Sequence, residues 1–281
     1  MKVLVTGAGG MLGRDVVLAA GNAGHDVVGF GHTELDVGDE ATVRAKIELE
    51  RPDVVINCAA WTDVDGAEEA EEEALAVNGA GAGYVAAAAA AVDASVVYVS
   101  SDYVFDGAKG APYVETDETA PLSAYGRTKL AGEGETVAAN KRHFVVRSSW
   151  LFGIGGSNFV ETMLRLSAER ETVSVVDDQR GQPTSTAQLA ALLVRLLASE
   201  ARPGVYHGTG SGETTWHGFA RAVFAGSGLD PDRVLATTTA AFPRPAHRPA
   251  YSVLSHDTLM AAGVAPAGDW AAGLTAYLSG R

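Results

Sequence analysis

The sequence predicts an α/β fold, a doubly wound parallel sheet with a smaller C-terminal lobe. Three observations predict it. Short β-rich runs alternate with longer helical patterns through the first half. The first run breaks into a glycine-rich turn where a helical pattern begins. The segments between runs are long enough to carry a helix from one strand to a parallel neighbour, and right-handed crossovers then place helices on both faces.

Strands are expected at Lys2–Thr6, Asp26–Phe30, Asp53–Asn57, Ser95–Ser100 and His143–Arg147. Helices are expected between them, at Met11–Ala23, Asp39–Glu50, Gly66–Ala91 and Ser123–Asn140. The Ala86–Ala91 run reads as the buried end of the third helix, because alanine is the best helix former and lets elements pack closely. After Trp150 the rhythm loosens. Helices at 158–170, 184–199, 214–225 and 269–278 and short strands at 172–176 and 205–207 are expected there, with Pro243, Pro245 and Pro249 interrupting the chain. Residues 1–150 then form the main α/β domain. Residues 151–281 mainly build the smaller lobe and return one strand or more to the main sheet.

A formal charge of −14 argues against a nucleic-acid groove and against anionic membrane surfaces. An anionic small ligand stays open, since local arginines and helix N-termini hold phosphate even in an acidic protein. The single cysteine, Cys58, forms no intramolecular disulfide and fits a reducing cytoplasm. The apolar N-terminal run is too short for a signal-peptide core, and the Val85–Val92 run is too short to span a bilayer. No Cys/His cluster suggests zinc. The expectation is a cytoplasmic protein without nucleic-acid or membrane partners, monomeric or homodimeric.

The first chemical signal is Thr6-Gly7-Ala8-Gly9-Gly10-Met11-Leu12-Gly13. Gly7 permits the tight turn, Gly10 lets backbone approach a pyrophosphate, and Gly13 lets the helix pack on the sheet. With the strand before it and the helix after it, this is the start of a Rossmann-type dinucleotide site, with Met11 and Leu12 in the first helical turn. The spacing is G-x-x-G-x-x-G, and such turns also occur without a ligand. At the end of the second strand Phe30-Gly31-His32 replaces the carboxylate that would grip the adenosine ribose and select NAD. Asp36 and Val37 follow, Asp36 either facing adenine or capping a turn. With no carboxylate to repel a 2′-phosphate and Arg14 nearby, NADPH is the expected cofactor and NADH the alternative. Cys58, Ala59 and Ala60 close the third strand with small residues that leave room for the adenosine side.

Tyr125-Gly126-Arg127-Thr128-Lys129 is the second signal. With Ser123 as N-cap, Tyr125 and Lys129 lie one turn apart on one helical face. Hydride addition to a ketone leaves an alkoxide that needs a proton. A phenol near pKa ~10 is expected to be drawn toward neutrality by the Lys129 ammonium together with a nicotinamide cation. Lys129 is also suited to the nicotinamide ribose. Ser101, at the carboxyl end of a strand, either polarises a carbonyl or merely caps the strand. The order of glycine turn, hydroxyl strand end and Tyr–Lys helix favours catalysis.

Taken together, these segments resemble the extended short-chain dehydrogenase/reductase superfamily, and within it the dTDP-4-dehydrorhamnose reductase family. The resemblance runs through Trp61-Thr62-Asp63-Val64-Asp65-Gly66, Ser101-Asp102-Tyr103-Val104-Phe105, Ser123–Glu133, Arg147–Gly153, Asp178–Thr184 and Arg248-Pro249. It implies a catalytic set of Ser101, Tyr125 and Lys129 and reduction of a dTDP-4-keto-6-deoxyhexose at C4. It implies sugar contacts from Asp102, Tyr103, Val104 and Trp150, substrate-side positions at Thr62 and Val64, and Arg248 at the diphosphate or in a structural ion pair. Asn78 matches a helix asparagine that helps organise the lysine. Some members dimerise through Mg²⁺ on acidic residues. Asp15 matches one such position, but Ala187 stands where another carboxylate is expected, so no metal site is carried over. Alternatives are a non-catalytic regulatory subunit like the methionine adenosyltransferase β-type partner and a nucleotide-sugar epimerase. A dehydratase is unsupported because Ser101 is followed by Asp102-Tyr103 and not by an Asp-Glu pair.

Overall fold

A computed structural model describes all residues, Met1–Arg281. Its centre is a six-stranded sheet in which every neighbouring pair is parallel. Strands β1 (Lys2–Thr6), β2 (Asp26–Phe30), β3 (Val54–Asn57), β4 (Ser95–Ser101) and β5 (His143–Ser148) are joined by Gly204–His207 from the second half. Reading across, the order is Gly204–His207, β5, β4, β3, β1, β2. The winding therefore reverses between β1 and β3, where parallel sheets open a crevice at their carboxyl ends.

Two faces of helices explain the valine-rich strands. Side chains alternate along a strand, so Val3, Val5, Val54, Ile56, Val97 and Val99 point one way. They pack on helix α1 (Met11–Asn22) and the Thr186–Leu197 helix. Leu4, Val55 and Val96 point the other way, onto helix α2 (Glu40–Glu50) and the long Glu71–Ala91 helix. Burial on both faces is why these strands read as continuous apolar runs. Each fully buried Val, Leu or Ile side chain contributes roughly 1.5–3 kcal/mol.

The third helix differs from the single Gly66–Ala91 element expected. The amide of Gly66 donates to Asp63 at 2.9 Å, which winds Gly66–Glu68 into a separate 3₁₀ turn. The helix begins at Glu71 and widens into a π turn at Ala76–Ala80 before continuing to Ala91. The Val85–Val92 run thus belongs to a 21-residue helix long and apolar enough by composition to cross a membrane. Over half of its most apolar stretch is buried inside this fold, so here it is a core helix.

In the second half the Phe159–Glu169, Trp216–Gly226 and Trp270–Ser279 helices enclose a separate core around Phe152, Met163, Phe219, Phe224 and Leu274. Val173–Val176 pairs there in parallel with Val234–Thr237, a strand the sequence reading did not contain. The Thr186–Leu197 helix and the Gly204–His207 strand leave this core and complete the main sheet.

Candidate active site

The glycine turn is built as its residue types demand. Gly7 has φ +65°, and a Cβ there would lie 2.7 Å from the Ala59 amide nitrogen. A Cβ on Gly13 would sit on the Gly7 carbonyl oxygen, so glycine lets α1 close on the turn. No side chain caps Gly10 at the start of α1, which leaves the first-turn amides for an anion. These features fit a dinucleotide pyrophosphate.

The turn floors a cleft of about 740 Å³. Gly7, Gly10, Met11, Leu12, Gly13, Asp36, Val37, Cys58, Ala59, Ala60, Tyr125 and Lys129 all line it, and so does Thr62. Asp36 lines the cleft and also caps a turn, its carboxylate accepting the Gly38 amide at 2.9 Å. Burial pushes the Cys58 thiol up to about 12, which makes it a packing group and not a nucleophile. Arg14 lies outside the lining, its Nε donating to the Gly9 carbonyl at 3.0 Å. Sequence reasoning missed the wall formed by Gly155, Gly156, Ser157 and Thr186, which comes from the second half and carries no strand–helix signature. Asp15 accepts a hydrogen bond from the Thr186 hydroxyl across the α1–Thr186–Leu197 contact.

At the far end of the cleft, the Ser123 hydroxyl accepts the Gly126 amide at 3.1 Å and starts the Ala124–Ala139 helix. Tyr125 and Lys129 then fall on consecutive turns facing the cleft. Gly132 lets this helix press onto β4, since a Cβ there would collide with the Tyr98 hydroxyl and the Asn78 carbonyl. Asn78 sits in the π turn and ties three segments together. Its Nδ2 donates to Thr128 Oγ1 at 3.0 Å and to the Trp61 carbonyl at 3.1 Å, and its Oδ1 accepts the Trp61 amide at 2.9 Å. It therefore holds the residue next to Lys129 and not the ammonium itself.

Lys129 is 2% exposed. Its Nζ donates to the Val99 carbonyl at 2.7 Å and lies 4.2 Å above the Tyr98 ring. Burial brings the ammonium down to about 7, with the Glu133 carboxylate opposing. Glu133 is itself buried, gripped by Arg147 Nε at 2.9 Å and Nη2 at 2.7 Å and by the Ser100 hydroxyl at 2.6 Å. This ion pair behind the lysine was not foreseen.

The protein alone does not acidify the Tyr125 phenol. Burial raises it to about 12, and the opposing influence is a hydrogen bond with Ser101, not the charge of Lys129. The lysine is committed to the Val99 carbonyl and itself loses its proton near neutrality, so it supplies little acidifying charge. The phenol is consequently fully protonated at neutral pH, the state a proton donor requires. Ser101 is 6% exposed, and its hydroxyl accepts the Tyr103 amide at 3.2 Å and donates to Asp102 Oδ1 at 3.1 Å. Burial raises the Asp102 carboxyl to about 7, and its Oδ2 has no hydrogen-bond partner in the chain.

A second cleft of about 600 Å³ lies in the C-terminal half. The Tyr103 and Tyr125 rings meet edge-on at 5.5 Å, Tyr103 lining this cleft and Tyr125 the first, so the two adjoin at this tyrosine pair, while Ser101 lines neither. Arg248 also lines it, with its guanidinium on Asp65. Trp150 holds φ +47° and stacks on Trp216 at 3.6 Å, and Trp216 forms part of the wall. Val64 lines neither cleft. Val104 is placed otherwise than expected, fully buried with Phe105, Tyr113 and Leu254 beneath the site. Asp102–Val104 form a 3₁₀ turn, which aims successive side chains in different directions.

The parallel sheet, the glycine turn and the Tyr–Lys helix define the class, an extended short-chain dehydrogenase/reductase. The model of the RmlD substrate binding domain matches residues 1–280. The chain belongs to that family, the family of the dTDP-4-dehydrorhamnose reductases. It is 48% identical over 277 residues to dTDP-4-dehydrorhamnose reductase of Streptomyces griseus, covering 97% of this chain and 91% of the relative. It is 45% identical to dTDP-4-keto-6-deoxy-D-glucose reductase of Streptomyces niveus, covering 97% and 94%. Among solved structures, dTDP-4-dehydrorhamnose reductase of Bacillus anthracis in complex with NADP superposes with a TM-score of 0.95 at 36% identity, covering 100% of this chain and 99% of the other. A UDP-glucose 4-epimerase of Thermus thermophilus with NAD shares the fold at 21% identity, with a TM-score of 0.84 over 99% of this chain and 98% of the other.

Proposed function

We propose that this protein reduces the C4 ketone of a dTDP-4-keto-6-deoxyhexose with NADPH, producing dTDP-rhamnose or a related deoxysugar in the cytoplasm. One observation carries the reading. Tyr125 and Lys129 line a cleft floored by a glycine turn, and the Tyr125 ring meets that of Tyr103 on a second cleft rimmed by arginines and aromatic rings, with Ser101 buried beside Tyr103. The relatives' names support the substrate class, and the Bacillus anthracis complex supports NADP.

Gly7, Gly10, Gly13 and the first-turn amides of α1 would hold the cofactor's pyrophosphate, and Asp36, Val37 and Cys58–Ala60 its adenosine side. When bound there, NADPH supplies the hydride. Ser101 donates a hydrogen bond to the ketone oxygen and draws electron density from the carbonyl carbon. Tyr125, neutral because its pKa is raised, passes its proton to that oxygen as negative charge develops. Lys129 holds a cofactor ribose hydroxyl, and Asn78 keeps the helix turn beneath it in place. In the chain alone the one Ser101 hydroxyl proton points to Asp102 Oδ1 at 3.1 Å, and it would turn from the carboxylate to the ketone oxygen.

Purified protein mixed with dTDP-4-keto-6-deoxy-L-mannose and NADPH tests this by the loss of reduced-cofactor absorbance. Rapid oxidation supports the reading. Oxidation only with dTDP-4-keto-6-deoxy-D-glucose changes the sugar but keeps the reaction. No oxidation with either sugar refutes it.

A further inference from the structure

Residues 238–248 run along the second cleft as a strap, and the two ends of that strap are tied to different parts of the molecule. At the first end, Asp178 accepts the Thr239 amide at 2.8 Å and the Thr239 hydroxyl at 2.7 Å. Gln179 Nε2 donates to the same hydroxyl at 2.9 Å. At the other end a single carboxylate, Asp65, collects the chain from across the fold. It accepts Arg244 Nε at 3.0 Å, Arg244 Nη2, the Ala246 amide at 3.1 Å, Arg248 Nη1 at 2.8 Å and Arg248 Nη2 at 3.0 Å. Between the ties, Phe242 is 51% exposed, and only a short 3₁₀ turn, Thr239–Ala241, is regular.

Two guanidinium groups share one carboxylate at this tie, with Glu68 near enough to favour the Arg248 charge, and Arg170 stands on the same cleft. The arginines hold the Asp65 carboxyl well below the usual carboxylate range, so the tie persists through ordinary pH. Without Asp65 the two like charges would repel each other, and the strap would lose its anchor on the main domain. A planar guanidinium held in a fixed plane is what bidentate phosphate recognition needs.

We propose that Asp65 is a positioning residue that latches this strap over the cleft and presents Arg244 and Arg248 to the diphosphate of the nucleotide sugar. The inference rests on the function proposed above and adds to it the residue that orders the phosphate-binding arginines.

Asp65→Asn keeps the side-chain shape and removes the charge. Calorimetric binding of dTDP and of thymidine, which lacks phosphate, is compared in the wild type and the variant. The expected result is dTDP binding weaker by about tenfold, roughly 1.4 kcal/mol, with thymidine binding nearly unchanged. In turnover, KM for the keto-sugar rises by about the same factor, while kcat and NADPH affinity stay within about threefold. Asp65→Glu restores part of the preference for dTDP. A merely structural ion pair would lower thermal stability without changing the ratio of dTDP to thymidine affinity. Should Asp65→Asn not fold, Arg244→Gln serves, because Arg244 is half-exposed and its removal leaves the Arg248–Asp65 pair intact. It should weaken dTDP binding by several-fold and leave thymidine binding unchanged. Unchanged or tighter dTDP binding in either variant overturns the inference. If the wild type itself shows no preference for dTDP over thymidine, the proposed function fails instead.

Discussion

Lys129→Met should make the protein more stable at acid pH while removing its activity. The side chain is 2% exposed, and Glu133, the acid that favours its charge, is already paired with Arg147. Burial lowers the ammonium from 10.5 to about 7. The unfolded chain therefore holds that proton more tightly than the folded one. Between about pH 7 and 10.5 the unfolded state binds more protons, so stability rises with pH across that window. Below it both states are charged, and the full cost of the buried cation is felt. At about 1.4 kcal/mol per tenfold, that cost is on the order of 5 kcal/mol at pH 6 and about 2 kcal/mol at pH 9. Methionine removes the charge at similar volume and leaves the Val99 carbonyl without its donor, a loss of about 1–3 kcal/mol. The net expectation is a gain of roughly 2–4 kcal/mol at pH 6 that falls to near zero by pH 9. Urea unfolding followed by the fluorescence of the four tryptophans measures it at each pH. Keto-sugar reduction should fall by about 100-fold or more, with weaker NADPH binding. A variant less stable than wild type at pH 6, or a difference that does not change with pH, would refute this reasoning.

Tyr125→Phe removes the proton donor and should lower kcat by about 10²–10⁴-fold with NADPH affinity retained, as steady-state rates and cofactor titration would show. Ser101→Ala should cost about 10–100-fold in kcat, and Ser101→Thr should keep most of the rate because the hydroxyl survives; equal rates for the two variants would deny the hydroxyl its part. Gly7→Ala forces a side chain onto φ +65° and into the Ala59 backbone. A loss of about 2 kcal/mol or more in urea unfolding, together with weaker NADPH binding, is expected.

Much of the main sheet was legible because its strands are short valine-rich runs buried on both faces, and β1 and β2 fall at Lys2–Thr6 and Asp26–Phe30 as read from the sequence. The Ala124–Ala139 helix was legible from Ser123, whose capping hydroxyl fixes the phase of Tyr125 and Lys129. Contacts between distant segments were not. Glu133 and Arg147 lie on a helix and a strand, and no periodicity announces that they pair. Asp65 meets Arg244 and Arg248 across 179 and 183 positions. Val234–Thr237 escaped notice because four residues after a 3₁₀ turn give too short a pattern. Val104 carried its own warning, an aliphatic side chain beside Phe105 in a turn that cannot aim three consecutive residues at one pocket. The share of Tyr125 acidification expected of Lys129 rested on spacing. Spacing brings Lys129 onto the same face but does not reveal that its ammonium is bound to Val99 and half-neutralised by burial.

NADPH carrying deuterium in its transferable position at nicotinamide C4 offers the most direct test of ketone reduction. With dTDP-4-keto-6-deoxy-L-mannose, mass spectrometry and proton NMR should find one deuterium in the product, at sugar C4, and Tyr125→Phe should form almost none of that product while still binding NADPH. Product without the label at C4, or unimpaired product formation by Tyr125→Phe, would contradict the account.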